Sequence, residues 1–385
     1  MTAAAQAMPL RAPRWELMAL LLSAGALLTL GIVMIGSASM EVAAENHGSP
    51  LYFVLRQSVY AVIGCLAGLG AANIPLVWWL RGAWLWLGLA FVLLVVVLTP
   101  LGITVNGSSR WIPMGPVNLQ VSEAAKWLLV VYVAGYVVRR HAEVVDTWPG
   151  VIKPLVILVA AAGLLLAQPD FGAVVVLMAA AFGVIFVSGV GLGRFLVMSL
   201  TGLALAGAAL LSQPYRIERL VAYLDPWQDQ FNSGYQLTQA LIAFGRGEWT
   251  GVGLGNSIQK LFYLPEAHTD FIFAIAAEEF GLLGALCILA AFTVLVVSGL
   301  RIARQARDAG VTFGACLAYG LTLLLALQAY INMAVNTGLL PTKGLTLPLV
   351  SYGGSSLIVS CVSIGVIARV QMEVEDQGAQ EGGEP

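Results

Sequence analysis

The sequence predicts an all-α integral membrane protein, a polytopic bundle of ten transmembrane helices with a large extracytoplasmic loop between helices 7 and 8. Three observations carry this. Of 385 residues, 59% are hydrophobic and 10% charged, whereas a soluble domain carries about 25% charged residues. Mean hydropathy is +0.86. Ten apolar runs are each long enough to cross the roughly 30 Å of bilayer hydrocarbon.

The first run, 16–37, follows Arg11 and Arg14 and ends at Ser37-Ala38-Ser39, like a cleaved signal. Its apolar stretch exceeds the roughly 7 to 15 residues of a signal core, so it reads as a retained helix. Runs two to four occupy 54–73, 82–100 and 121–139. The fifth and sixth, 151–168 and 170–188, are parted by Gln168-Pro169-Asp170, where proline and aspartate supply a turn and a cap. The seventh is 193–213, the eighth 270–299, the ninth 311–337 and the tenth 353–371. Between the last two lies a proline- and glycine-bearing stretch, and such backbone survives at membrane depth only where protein or a cavity covers it.

An even number of spans puts both termini on one side. Eleven of the nineteen Lys and Arg fall there, and the positive-inside rule makes that side cytoplasmic. The chain therefore divides into a cytoplasmic tail (1–15), a membrane domain (16–371) and a short acidic cytoplasmic tail (372–385). The outer segment of about 214–269 is far longer than an ordinary connection, so it is either functional or disordered. Its Tyr, Trp, Gln and Gly favour function, and Leu237, Leu241 and Phe244 at i, i+4 and i+7 suggest a short amphipathic helix on the bilayer surface.

Composition and spacing also exclude. A formal net charge of -2 without a basic tract gives nucleic-acid phosphates no footing. Cys65, Cys287, Cys316 and Cys361 form no CxxC pair and read as small buried hydrophobes, and the three histidines are too scattered for a helical metal pair. Gly251-Val252-Gly253-Leu254-Gly255 follows no strand and opens no βαβ unit, so it is not a dinucleotide loop. No internal repeat stands out, which weakens an inverted-repeat transporter.

Ionisable groups at the edge of hydrocarbon are costly, so each is a functional hypothesis. Asp270, at the outer mouth of the eighth run, is either an acid facing water and an embedded substrate or the helix N-cap. Glu266 and His268 read as its neighbours. Arg216, Arg219 and Lys343 stand on the outer side against the orientation rule. They suit a pyrophosphate ligand, with Arg as bidentate fork and Lys as point charge, or else pair with Glu218, Asp225 or Asp229. Glu123 and Lys126, three apart on one helix, favour a structural pair. Glu278 and Glu279 fit a proton path or a packing contact equally well. Asp170 looks like a turn and cap.

Four segments resemble the SEDS family (shape, elongation, division and sporulation). They are Asn106-Gly107-Ser108-Ser109-Arg110-Trp111-Ile112, Gln168-Pro169-Asp170-Phe171-Gly172, Pro265-Glu266-Ala267-His268-Thr269-Asp270-Phe271, and Pro341-Thr342-Lys343-Gly344-Leu345-Thr346-Leu347-Pro348-Leu349 running into Val350-Ser351-Tyr352-Gly353-Gly354-Ser355. The match covers nearly the whole chain, and the Pro-Thr-Lys-Gly form is nearest the division member. The resemblance implies a peptidoglycan glycosyltransferase that polymerises lipid II into β-1,4-linked glycan during division, at the septum of the inner membrane. Asp270, aligned with the family's essential aspartate, would be the general base. Arg216, Lys343, Arg110, Arg219 and Ser351 would bind pyrophosphate or sugar, while Glu123, Lys126, His268 and Glu279 would be structural or tuning residues. No cofactor motif is evident, and a divalent cation, Mg2+ or Mn2+, is an optional addition. Implied partners are a class B penicillin-binding transpeptidase of the FtsI type and FtsQ, FtsB and FtsL. The rival readings are a lipid II flippase, which needs polar groups along the whole depth of the bilayer, and a non-enzymatic scaffold of the division machinery.

Overall fold

The computed structural model describes residues 15–105, 108–115, 117–342 and 344–381. In chain order the elements are α1 (Trp15–His47), α2 (Tyr52–Asn73), α3 (Leu76–Arg81), α4 (Ala83–Val96), β1 (Ile103–Val105), β2 (Ser108–Met114), β3 (Val117–Gln120), α5 (Val121–Arg139), α6 (His141–Asp146), α7 (Trp148–Ala167), α8 (Phe171–Val187), α9 (Leu192–Leu211), α10 (Pro214–Leu224), α11 (Tyr235–Gly247), a π-helical turn (Gln259–Tyr263), α12 (Ile272–Asp308), α13 (Thr312–Asn336) and α14 (Gly354–Glu381).

Eight of these helices are long and apolar enough to cross a membrane: α1, α2, α5, α7, α9, α12, α13 and α14. Two further expected spans are occupied by shorter apolar helices, α4 of 14 residues and α8 of 17. At 1.5 Å per residue α4 covers only about 21 Å, because the chain first forms α3 and turns at Gly82.

Helices α5 and α13 are buried on nearly every side and form the centre, with α8, α12 and α14 packed around them. The most extensive contact is between α2 and α14. There Gly64 and Gly68 face Cys361, and any Cβ at Gly365 would collide with the Gly68 carbonyl. Small residues at such crossings let helix backbones approach without the hydrophobic drive that water supplies. Helix α9 is the exception. Met198 is its one buried residue, and it touches chiefly α8 and α10, leaving an open apolar flank.

A small sheet accompanies the helices. An antiparallel three-stranded sheet, β1-β2-β3, spans residues between α4 and α5, with Ile103 paired to Trp111 and Trp111 to Gln120. The sequence held a signal for it: Asn106-Gly107 between alternating residues is a strong hairpin dipeptide.

The long outer segment is folded, and its surface helix is not the expected one. In α11, Leu237 is buried, Phe244 lies 5.6 Å from Phe273, and the helix packs on α12. Its apolar stripe therefore meets protein rather than lipid. Instead α10 exposes Ile217, Val221 and Leu224 along one side, as a helix in the headgroup layer would. The acidic tail expected from 372 continues α14 to Glu381, supported by an Arg369–Glu373 pair at i, i+4. Of the cysteines, Cys316 and Cys361 are buried as expected, whereas Cys65 and Cys287 face outward.

Glu278 and Glu279 resolve as packing contacts. Helix α12 is broken at Gly281 (φ 68°), where glycine alone avoids a Cβ penalty. The loop after α11 stitches the break: Val252 and Gly253 N–H groups donate to the Glu278 and Glu279 carbonyls, while Leu282 and Leu283 donate to those of Glu248 and Trp249. The Glu278 carboxylate accepts from Arg246 (2.8 Å), Ser257 and the Ile258 N–H. Glu279 accepts from Lys260 (2.9 Å) and from Ser37 of α1 (2.5 Å).

Both Lys260 and Glu279 are buried. Removing one partner strands a charge, so Lys260→Met should destabilise the protein by about 3–5 kcal/mol. The Lys260→Met, Glu279→Met double variant should recover much of that. Thermal denaturation in detergent checks both.

Candidate active site

Asp270 lies in the turn between the π-helical turn and α12. The helix cap is Phe271, and no side chain caps this end. The N-cap reading of Asp270 therefore falls. Among the described residues its carboxylate receives no hydrogen bond. Its backbone is held instead. The Asp270 carbonyl accepts from Asn332 (2.8 Å) and Asn336 (3.0 Å) of α13, and the Asn336 side-chain oxygen receives the Ala274 N–H (3.1 Å). From the other side, the Ser351 hydroxyl donates to the Thr269 carbonyl (2.6 Å) and Tyr352 N–H to the His268 carbonyl (2.9 Å). Glu266 adopts the left-handed conformation (φ 58°), and its carbonyl takes the Thr269 and Phe271 N–H groups. That strained turn is affordable because neighbours on both sides fix it.

The carboxyl opens into a cavity of about 560 Å³. Its floor and walls include Arg110 and Trp111 of β2, Arg219 of α10, Thr342 and Gly344. A Cβ at Gly344 would lie 3.1 Å from Asp270 Oδ2, so glycine keeps the approach to the carboxylate open. Burial lifts the Asp270 pKa from 3.8 to about 7; Glu266 and Asp170 push the same way, while Arg110 and Arg219 pull it down. An acid poised there changes charge near neutral pH, where a general base is most effective.

A second, smaller cavity of about 70 Å³ shares Arg110, Asp170, Arg219, Thr342 and Gly344 with the first. It adds Arg216 together with Phe171, Leu210 and Leu220. Arg216 sits over the Phe171 ring at 5.4 Å and donates to the Ala209 carbonyl (2.5 Å). Arg110 donates to the carbonyls of Gln168 (3.2 Å) and Pro169 (2.5 Å). Three arginines thus converge where a polar cavity meets the loosely packed α9 flank. This arrangement suits an anionic head on an apolar tail.

Other expected site residues fall as follows. Lys343 lies outside the described residues, between the cavity-lining Thr342 and Gly344. Ser351 is buried, its hydroxyl engaged with Thr269 and the Leu347 N–H, so it fastens the Asp270 turn rather than facing the cavity. Glu123 and Lys126 form the expected pair (2.8 Å); Lys126 also donates to Gln328, which ties the pair to Thr346 and Ser356. His268 packs against Phe53 and Tyr352, and its burial lowers its pKa. Asp170 caps α8 through the Ala173 N–H and also lines both cavities, so cap and site coincide. Sequence reasoning missed Asn332 and Asn336. Two asparagines four apart in an apolar helix were the available signal, since polar residues within spans need partners.

No group of three or more His, Cys, Asp or Glu among the described residues is placed to hold a metal.

Asn336→Leu should loosen the Asp270 carbonyl and the first turn of α12 while leaving the carboxyl chemistry intact. If Asp270 is the base, kcat should fall about 10- to 100-fold with KM changed far less, the cost of a small misplacement of a reacting group. Asn336→Asp, which keeps one acceptor in place, should retain part of the rate. Steady-state kinetics on purified protein checks this.

The cell cycle protein family model of FtsW, RodA and SpoVE matches residues 18–376. The chain belongs to this family, the SEDS family. Among curated relatives of this SEDS chain, the probable peptidoglycan glycosyltransferase FtsW of Marinobacter nauticus is 63% identical, over 93% of this chain and 90% of that protein. The protein of the same name from Hahella chejuensis is 55% identical, over 92% and 89%. Among solved structures, a chain of a peptidoglycan synthase complex, described for its structural coordination of polymerization and crosslinking, superposes with TM-score 0.74 at 28% identity. It covers 94% of this chain and 98% of its own. The rod shape determining protein RodA of Thermus thermophilus gives 0.67 at 25% identity, covering 92% and 96%. This SEDS chain is nearest the FtsW branch, with RodA structures as neighbours.

Proposed function

We propose that the chain is a peptidoglycan glycosyltransferase that polymerises lipid II into β-1,4-linked glycan for septal wall synthesis. It would act at the outer face of the inner membrane, with both termini cytoplasmic. The observation that carries the reading is an uncapped carboxyl, Asp270, poised near neutral pH beside arginines that line a path to an apolar flank.

The chemistry needs one base and one site for departing negative charge. Asp270 takes the proton from the acceptor's GlcNAc 4-hydroxyl as that oxygen attacks the anomeric carbon of the donor with inversion. The bond from that carbon to the pyrophosphate oxygen breaks, and its electron pair leaves on undecaprenyl pyrophosphate. Arg110, Arg216 and Arg219 receive that charge, with Lys343 beside the lining Thr342 and Gly344 in sequence. A divalent ion, Mg2+ or Mn2+, would then be an addition carried by the pyrophosphate. The partners that suit this reading are a class B penicillin-binding transpeptidase of the FtsI type with FtsQ, FtsB and FtsL. FtsW-type relatives and a structural neighbour within a synthase complex support it.

A flippase would need free polar groups through the bilayer. Its best candidates, Glu123, Lys126, Glu278 and Glu279, are each tied into an ion pair. The deciding experiment supplies lipid II to the purified protein with its cognate transpeptidase. Glycan strands from wild type and none from Asp270→Ala support the reading. Polymer from both would sink the role of Asp270, and translocation of labelled lipid II in proteoliposomes without polymer would turn the reading to flipping.

A further inference from the structure

The arginines near Asp270 account for one pyrophosphate, yet a strand-extending transfer brings two substrates that each carry one. The donor loses its pyrophosphate, and the acceptor, presenting only its far hydroxyl, keeps its own. The large cavity has a further cation with different neighbours. Arg56 of α2 lines it together with Tyr60 and with Tyr352 from the turn before α14. Its guanidinium lies over the Tyr52 ring at 5.3 Å, donates to the Tyr52 hydroxyl (2.6 Å), and has Tyr60 and Tyr352 as its other charge-sensing neighbours. Arg110 and Arg219, by contrast, are the cations that act on Asp270.

The order of these groups follows from their contacts. Tyr352 N–H bonds to His268 and Ser351 to Thr269, which places the tyrosine side directly against the turn that carries Asp270. Asp270 Oδ2 itself faces Gly344, which also lines the smaller cavity with Arg110, Arg216 and Arg219. Arg56 thus keeps company with tyrosines, while Arg110 and Arg219 act on the base.

The surroundings of Arg56 suit a sugar. Tyr60 and Tyr352, 6.4 Å apart, present aromatic surface, and Asn118 and Gln120 of β3 line the same cavity. Sugar C–H faces stack on aromatic rings, and amides hydrogen-bond ring hydroxyls and acetamido groups. A volume of about 560 Å³ falls in the range of sites that enclose a small ligand.

We infer that Arg56, Tyr60 and Tyr352 form the acceptor subsite: the acceptor's two sugars lie along the tyrosines, its pyrophosphate meets Arg56, and its terminal 4-hydroxyl reaches Asp270. The arginine trio of the smaller cavity then holds the donor. This rests on the glycosyltransferase reading.

The test separates the two roles with substrates that can play only one. Lipid II capped at its GlcNAc 4-hydroxyl serves only as donor. Lipid II with a methylene in place of the anomeric oxygen serves only as acceptor. One transfer yields one tetrasaccharide, and each KM is measured against a saturating partner. Arg56→Ala should raise the acceptor KM about 10- to 100-fold, the range for losing a charged hydrogen bond, with donor KM and kcat within about threefold. Arg56→Lys should fall between, and Tyr352→Leu should raise the acceptor KM about 3- to 10-fold. Arg219→Ala should move the donor KM instead. Equal shifts in both constants for Arg56→Ala, or a fall in kcat with both unchanged, overturn the assignment in a variant whose melting matches wild type. No tetrasaccharide from wild type with its transpeptidase overturns the glycosyltransferase reading, and this assignment with it.

Discussion

Asp270→Asn should abolish glycan polymerisation and at the same time make the protein more heat-stable at neutral and alkaline pH. Loss of the base alone accounts for a fall of about 10²- to 10⁴-fold. The stability gain follows from linkage. Burial holds the Asp270 pKa at about 7 in the folded protein against 3.8 outside it, so folding favours the neutral acid. Stability from the neutral form is complete below the unfolded value and is lost as pH rises through about 7. The amide never ionises. The melting temperature of Asp270→Asn should therefore match wild type near pH 4, pull ahead between pH 4 and pH 7, and hold a constant lead above that, since the wild-type carboxyl is then fully ionised. In wild type, kcat/KM should rise with pH through about 7 and level off. A variant no more stable than wild type at pH 8 would show that burial at this turn does not strain the carboxylate.

Arg110→Gln should have the next largest effect, through two routes. Its guanidinium lines both cavities and is fixed by the Gln168 and Pro169 carbonyls, so it is preorganised for charge that develops on the leaving pyrophosphate. Removing one such donor costs about 10²- to 10³-fold in kcat. Arg110 also lowers the Asp270 pKa, so without it the acid stays protonated to higher pH. The midpoint of the pH–rate profile should move up. Arg110→Lys keeps the charge but loses the fork, so its midpoint should stay near wild type while its rate falls between the two. An unmoved midpoint in Arg110→Gln would confine Arg110 to the leaving group alone.

The spans were legible because hydrocarbon leaves a chain few choices: long apolar runs and no unpaired backbone. The pairing of Glu123 with Lys126 was legible for a related reason, since both sit on one face of one helix. The partners of Glu278 and Glu279 were not. Arg246 and Lys260 are 32 and 19 residues away, and only the fold of the outer loop against broken α12 brings them in. The choice between α10 and α11 as the surface helix failed likewise. Periodicity shows that a stripe exists, not whether lipid or another helix covers it.

By itself, the sequence determined a membrane protein with most of its spans, an acid at a helix mouth and several cations in the connections. These are properties of composition and local pattern, which bilayer thickness and charge cost read directly. Only the tertiary structure decided that Asp270 is no cap, that Ser351 fastens its turn, and that Asn332 and Asn336 hold its carbonyl. It also brought Arg56, Arg110 and Arg219 to one cavity and Arg216 to the smaller one beside it. Desolvation and charge act through space, so the acidity of Asp270 depends on burial and, beside nearby Glu266, on Arg110 of β2, Asp170 at the cap of α8 and Arg219 of α10, which lie about 50 to 160 residues away along the chain.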